Sequence, residues 1–176
     1  MGGCLKVSQE DLEYLNRMFL YDEEKGTLTY KWLPLKKSLV GKTISPKPSH
    51  YGYRHVSVNN KLFYHHVICF CLGRQCTLGE EEEVDHRDRC KTNDILRNLR
   101  LASKSDNCKN RSCFSNNKLG YKCIHQRRNG SFRVDISSNN KRTYVGDFIL
   151  LDDAIKARDE ALVVLHGEFN YKDNTL

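Results

Sequence analysis

Leu12, Leu15 and Phe19 recur at helical spacing with Tyr14 and Met18 beside them, so a helix is predicted from about Ser8 to Met18. Ser8 and Asp11 form a capping-box pair at its start. The period then shortens. After a turn cluster at Asp22 to Gly26, Thr27 to Trp32 alternates like a strand. Pro34 to Pro48 is a basic connection. Tyr53 to Val58, Asn59-Asn60 and Lys61 to Tyr64 read as a hairpin, and Tyr64 to Leu72 as a short buried helix. A strand ends at Val84, a polar loop follows, Leu99 to Ala102 forms a second strand, and Ser103 to Arg111 starts a helix. Ser112 to Gly120 is a polar linker. Three strand signals come next, at Tyr121 to Gln126, Ser131 to Ser137 and Arg142 to Asp147, with turns at Arg128-Asn129-Gly130 and Asn139-Asn140. Leu151, Ala154, Ile155, Ala161, Leu162 and Leu165 make one apolar stripe of a last helix that Gly167 ends. The class this predicts is α+β.

Composition narrows the picture. The 176 residues suit one compact domain or two small ones, and at 39% hydrophobic each core is modest. No apolar run reaches bilayer length, and the opening MGGCLKVSQEDL lacks a secretory apolar stretch. The expectation is an intracellular protein, not secreted and without a membrane partner. Lys and Arg number 29 against 22 Asp and Glu, a net charge of +7 that favours polyanions. The charge is uneven. Residues 120–146 carry six basic side chains (Lys122, Arg127, Arg128, Arg133, Lys141, Arg142) against Asp135 alone, whereas residues 147–176 carry three basic and seven acidic. Among eight cysteines, Cys71-x4-Cys76 and Cys108-x4-Cys113 are the pairs that could clamp a structural zinc, but no C-x2-C pair occurs, and buried free thiols are the favoured reading.

The candidate chemistry lies between Gly79 and Arg111. Asp85-His86 is followed by Asn98-Leu99-Arg100 and then by Asp106-Asn107. Phosphodiester hydrolysis needs an activated water, a counter-charge for the pentacovalent phosphate and a stabiliser for the leaving oxygen. A histidine can take the water's proton, and a hard divalent cation on Asp and Asn oxygens can do the rest. Asp85 and His86 at a strand end can diverge around one phosphate, and Asn107 on the next helix could complete the cation site. Glu80 to Glu83 would repel phosphate and read as a solvated loop turned away from DNA.

These residues, with Tyr64-His65 before them and Asn110-Arg111 after, resemble the HNH (ββα-metal) nucleases. Tyr21-Asp22, Gly26, Leu28-Thr29 and Gly52-Tyr53 look like the lead-in of phage-type homing endonucleases of that family. The resemblance implies a ββα-metal core in which His86 is the general base, Asn98 holds the loop that orients it, and Asp85 and Asn107 bind one Mg²⁺ or Mn²⁺. For His65 it leaves two roles open, a phosphate contact or packing under the strand. Two positions depart from the family pattern. Arg87-Asp88-Arg89-Cys90 stands where a Gly-containing turn is usual, and Asn93-Asp94 reverses the usual order.

The C-terminal segment is similar to the ethylene-response-factor (Apetala-two type) DNA-binding domain, which also occurs fused to HNH endonucleases. The similarity rests on Gly120-Tyr121-Lys122, Gln126-Arg127, Gly130, Phe132, Val134, Ile136, Tyr144-Val145-Gly146, Phe148, Ala154, Ala157, Asp159, Ala161, His166-Gly167 and Asn170. It implies a three-stranded sheet in the major groove, with Lys122, His125, Arg127 and Arg133 facing DNA and Lys141, Arg142 and Tyr144 added to them. Cys123, Asn129 and Leu150 replace the usual Gly, Trp and capping Thr. The organisation expected is an N-terminal extension over residues 1–61, a nuclease core over 62–111, a linker over 112–119 and a DNA-binding domain over 120–176. The function expected is metal-dependent hydrolysis of double-stranded DNA, one strand per active site, by a homing or phage endonuclease. The alternatives are a non-catalytic DNA-binding protein on the same scaffold and a zinc-stapled interaction module.

Overall fold

The computed structural model describes residues 6–103, 106–107, 117–138 and 141–169. It falls into two compact units, Met1–Ser103 and Lys104–Leu176. Its small antiparallel sheets and helices are of the α+β class. No helix among the described residues is long and apolar enough to cross a membrane.

The first unit opens with α1 (Gln9–Met18), whose N-cap Ser8 and Asp11 complete the capping box anticipated from sequence. Asp11 also accepts from Lys61 Nζ at 2.6 Å, tying the helix start to the hairpin ahead. Leu12, Leu15 and Met18 are its buried face. β1 (Phe19–Asp22) and β2 (Thr27–Tyr30) pair antiparallel around a turn that Asp22 closes by accepting from the Glu24 and Lys25 amides at 3.1 and 3.0 Å. β3 (Lys47–Pro48), β4 (Arg54–Val58) and β5 (Lys61–Tyr64) form a second sheet. Asn59 and Asn60 turn β4 into β5 with φ of 48° and 61°, the left-handed pair that a two-residue hairpin demands. The chain passes directly into α2 (His65–Arg74), buried from His65 to Leu72. β6 (Glu82–His86) and β7 (Leu99–Ser103) close the unit as a two-stranded ribbon.

One core joins all of this. Val7, Leu15, Phe19, Leu28, Phe63, Ile68, Val84 and Leu99 belong to a single buried cluster, so residues 6–61 share their interior with residues 62–103. The N-terminal hairpin also shapes the loop after β6. The Tyr21 hydroxyl donates to the Asp94 carbonyl at 2.8 Å, and the Leu96 amide donates to the Glu23 carbonyl at 3.1 Å. Gly26, at φ 63°, lies so close beneath that loop that a Cβ would sit 2.5 Å from the Asp94 carbonyl carbon. Only glycine meets both demands.

In the second unit, β8 (Ile124–Gln126), β9 (Phe132–Ser138) and β10 (Lys141–Phe148) form an antiparallel sheet in the order β10-β9-β8. Gly130, at φ 87°, turns β8 into β9. α3 (Leu151–His166) lies on one face of the sheet and buries Ala154, Arg158, Leu162 and His166, every fourth residue. Ala154 and Leu162 come from the expected stripe; Arg158 and His166 do not. Arg158 is buried because its stem fills the stripe while its guanidinium lies 5.2 Å from the Tyr121 ring centre and pairs with Asp159 at 2.6 Å. Leu150 occupies the N-cap without a side-chain hydrogen bond, as a leucine must.

Two local expectations are corrected. β6 continues to His86 rather than ending at Val84, and Glu82 and Glu83 belong to that strand instead of a loop. Of the helix expected over 103–111, Ser103 ends β7, Asp106 and Asn107 are helical, and the remainder lies outside the described residues. A glycine test follows from the close approach at Gly26. Gly41→Ala, also at positive φ but in open space, should cost about 1 kcal/mol. Gly26→Ala should cost about 3 kcal/mol, since clash adds to the same strain. Urea unfolding of the two variants checks this, and equal costs would mean that Gly26 does not set the loop.

Candidate functional site

The β6–β7 register puts Asp85 opposite Arg100 and His86 opposite Leu99. Asp85 and Arg100 therefore share one face of the ribbon, and His86 points to the other. The Arg100 Nε and Nη2 both donate to Asp85 Oδ2, at 2.9 and 2.7 Å, and both residues are buried. The loop that follows is braced by Asn98. Its Nδ2 donates to Asp88 Oδ1 and the Asn93 carbonyl at 2.9 and 2.8 Å, its Oδ1 accepts from the Asp88 amide at 3.1 Å, and its carbonyl accepts from the Arg87 amide at 2.9 Å. Arg89 takes φ 63°, a left-handed conformation uncommon outside glycine, and so makes the turn tight.

On the inner face, Asp94 is the hub. Its Oδ2 accepts from Arg54 Nη2 at 2.6 Å and meets His65 Nδ1 at 2.5 Å, while its Oδ1 meets His86 Nε2 at 2.8 Å. Asp94 and both imidazoles are buried. Burial pushes the Asp94 carboxyl up, but the hydrogen bonds from His65 and His86 and the Arg54 guanidinium outweigh it and hold the group well below the usual carboxylate range. An ionised Asp94 accepts a hydrogen bond from His86 Nε2. His66 packs against His86 with ring centres 4.8 Å apart and against Tyr53 and Tyr64 at 5.3 and 5.6 Å. Burial first, and then the neighbouring His86 charge, lower its pKa to about 3, so His66 stays neutral.

These side chains also have the makings of a metal site. His66, His86 and Asp94 each offer one ligand atom, all within 4.8 Å of one another, as do His65, Cys69 and Asp94. Nitrogen with one carboxylate oxygen suits a borderline cation such as zinc better than magnesium or manganese. Arg54 and two imidazoles already share the one carboxylate, and a dication there would have to displace that arrangement. Asn107 is helical and half-buried in the second unit. Of the proposed zinc cysteines, Cys71 is buried and Cys76 half-buried, neither in a disulfide, and Cys108 and Cys113 lie outside the described residues.

The outer face of the second unit's sheet is a different surface. His125, Arg133 and Asp147 lie side by side across the three strands, with Asp135 opposite Tyr144 and Ser137 opposite Arg142 in the neighbouring rows. Directly opposed residues share a face, and Val134 and Ile136, between these rows, point inward to the core. Arg127, just past β8, joins by its pair with Asp147 at 3.1 Å. Five of the seven expected DNA-facing residues are thus gathered. Lys141 is opposite Ser138, whose hydroxyl donates to the Leu165 carbonyl of α3, so it belongs to the helix side. Lys122 is in the turn before β8.

No protein-family model and no curated protein matches the chain. Among solved structures it is similar to one titled "DNA binding and cleavage by the HNH homing endonuclease I-HmuI", at 18% identity over 84% of each chain with a TM-score of 0.41. So slight a likeness decides neither family nor function.

The residues to which the sequence assigns no role are Arg54, His66 and Asp94. Only Asp94 carried a signal, in the reversed Asn93-Asp94 order. His65 resolves as a buried partner of Asp94. Asp94→Ala would strand the Arg54 guanidinium and two imidazoles, and should cost about 3–5 kcal/mol by urea unfolding. His66 makes a pH test. Its pKa is lowered from 6.5 to about 3, so its contribution is full above pH 6.5 and is lost as pH falls toward 3. The slope is about 1.4 kcal/mol per pH unit. Asp94, also depressed, adds its own loss only below about pH 4. Between about pH 6.5 and pH 4.5, His66→Phe should lose less stability than wild type, and an unchanged slope would remove His66 as the cause.

Proposed function

We propose that this protein is a DNA endonuclease of the HNH type, with residues 62–111 as its nuclease core and residues 120–176 as its docking module. The observation that carries this reading is the pairing of His86 with an ionised Asp94 at the end of β6, beside a loop that Asn98 ties at both ends. That pairing fixes one ring tautomer, and it stabilises the imidazolium formed when Nδ1 takes a proton from water. The water then attacks phosphorus in line, and the products carry 5′-phosphate and 3′-hydroxyl ends. Asp85 and Asn107 are the oxygen ligands proposed for Mg²⁺ or Mn²⁺, which supplies counter-charge to the phosphorane and the departing 3′-oxygen. In this reading Asn98 positions the base through its loop, and the sheet face of Arg127, Arg133, Arg142, His125 and Tyr144 docks the duplex, with Lys122 and Lys141 at its margins. One site per chain cuts one strand.

A second reading keeps the scaffold and drops the chemistry. It is favoured by the burial of His86, 3% exposed, and by the Arg100 clamp on Asp85, which competes with a cation. Plasmid nicking with Mg²⁺ and with EDTA separates the two. The endonuclease reading expects metal-dependent nicking that His86→Ala lowers by roughly 10²–10⁴-fold with DNA binding retained. Metal-dependent nicking that survives His86→Ala refutes the base, and DNA binding without any nicking by wild type selects the second reading. Arg127→Ala with Arg133→Ala should weaken DNA binding and flatten its salt dependence. If the full salt slope persists, the duplex docks elsewhere.

A further inference from the structure

The sheet face assigned above to DNA has an acid near its centre. Asp147 Oδ1 accepts from Arg133 Nε at 3.1 Å, and its Oδ2 accepts from Arg133 Nη2, Arg127 Nη1 and the Tyr144 hydroxyl, each at 3.1 Å. The Arg133 guanidinium also lies 5.1 Å from the Tyr144 ring centre. This cluster depends on an irregularity in β10. Tyr144 and Asp147 are three residues apart, and a regular strand would turn them to opposite faces. Tyr144 pairs with Asp135 and Gly146 with Val134, so Val145 is an extra, unpaired residue that returns both side chains to the outer face.

A carboxylate is costly on a surface meant only to hold phosphate, since it repels the ligand and neutralises two arginines. It has a different effect on arginine geometry. Arg133 meets Asp147 through Nε and Nη2, the side-on edge of its guanidinium, with one N–H for each oxygen. The end-on edge, Nη1 with the second hydrogen of Nη2, is left pointing along the side chain with its plane fixed. A fixed pair of parallel donors matches the paired acceptors on a guanine edge in the major groove. It gains little from a phosphate, which a freely turning arginine reaches equally well.

We propose that Asp147 is the specificity-determining residue of this face. It locks Arg133, and with it Arg127, for base reading, and its charge keeps phosphate from occupying the same spot. The proposal rests on the DNA-docking reading of the second unit and deepens it. Asp147 touches no DNA in this account; it acts by positioning.

The test uses the full-length chain and a random-sequence duplex library. Wild type selects a consensus, and affinities are then measured for that duplex and for a scrambled one of equal composition at several salt concentrations. Asp147→Ala and Asp147→Asn should each reduce the consensus-to-scrambled ratio by roughly tenfold to a hundredfold, one bidentate contact's worth of discrimination. Affinity for the scrambled duplex should hold or rise, and its log–log salt slope should steepen by about one. Arg133→Ala should lose the same discrimination while flattening the slope. If both Asp147 variants keep the wild-type ratio, or lose both duplexes together, Asp147 has no such role although the chain still docks DNA. If wild type selects no consensus, there is nothing for Asp147 to determine and the proposal fails. If wild type binds neither duplex, the docking reading itself fails and takes the proposal with it.

Discussion

A single carboxylate organises the first unit. Asp94 is set in a loop and takes three charged or chargeable partners from three other places: Arg54 on β4, His65 at the start of α2 and His86 at the end of β6. Its carbonyl is held by Tyr21 on β1, and its backbone rests on Gly26. A buried anion so enclosed is tolerated only because every partner is in place. The N-terminal hairpin, the central hairpin, the buried helix and the β6–β7 ribbon must therefore assemble together, and the shared hydrophobic cluster beneath them does so. Stability and the candidate chemistry meet at one side chain.

Most elements were legible from the chain. Periodicity placed α1, the β4–β5 hairpin, α2, the β6–β7 ribbon and the C-terminal sheet and helix within a few residues, because each is a local decision of apolar spacing and turn chemistry. What was not legible is the product of distant contacts. Arg54 is an ordinary position on a short strand, and nothing in its neighbourhood says that it will meet a loop forty residues on. His66 stands in an apolar run beside His65, and only the fold distinguishes the one bonded to Asp94 from the one wrapped in aromatic rings. Arg158 broke the pattern of its helix because a long aliphatic stem can serve as apolar surface.

The fold gathers some of the residues named from sequence and joins to them others that the sequence left unnamed. Asp85, His86 and Asn98 are brought to one ribbon and its loop, and the second unit gathers His125, Arg127, Arg133, Arg142 and Tyr144 on one sheet face. The acids that organise these groups went unread. Asp94 lay in a departure from a familiar order, and Asp147 was counted with the acidic C-terminal segment rather than with the basic one. Counting charge along a chain assigns a residue to its neighbours in sequence, whereas a sheet assigns it to its neighbours across strands.

The extra residue in β10 also bears on how this surface can diverge. A substitution at Tyr144 or Arg142 alters one contact, but losing or gaining one residue near Val145 rotates everything after it by half a turn of the strand. Insertions and deletions, not point changes, are the events that would rewrite the whole face at once. A lineage that keeps the length of this strand keeps the register of this face, whatever it does to individual side chains.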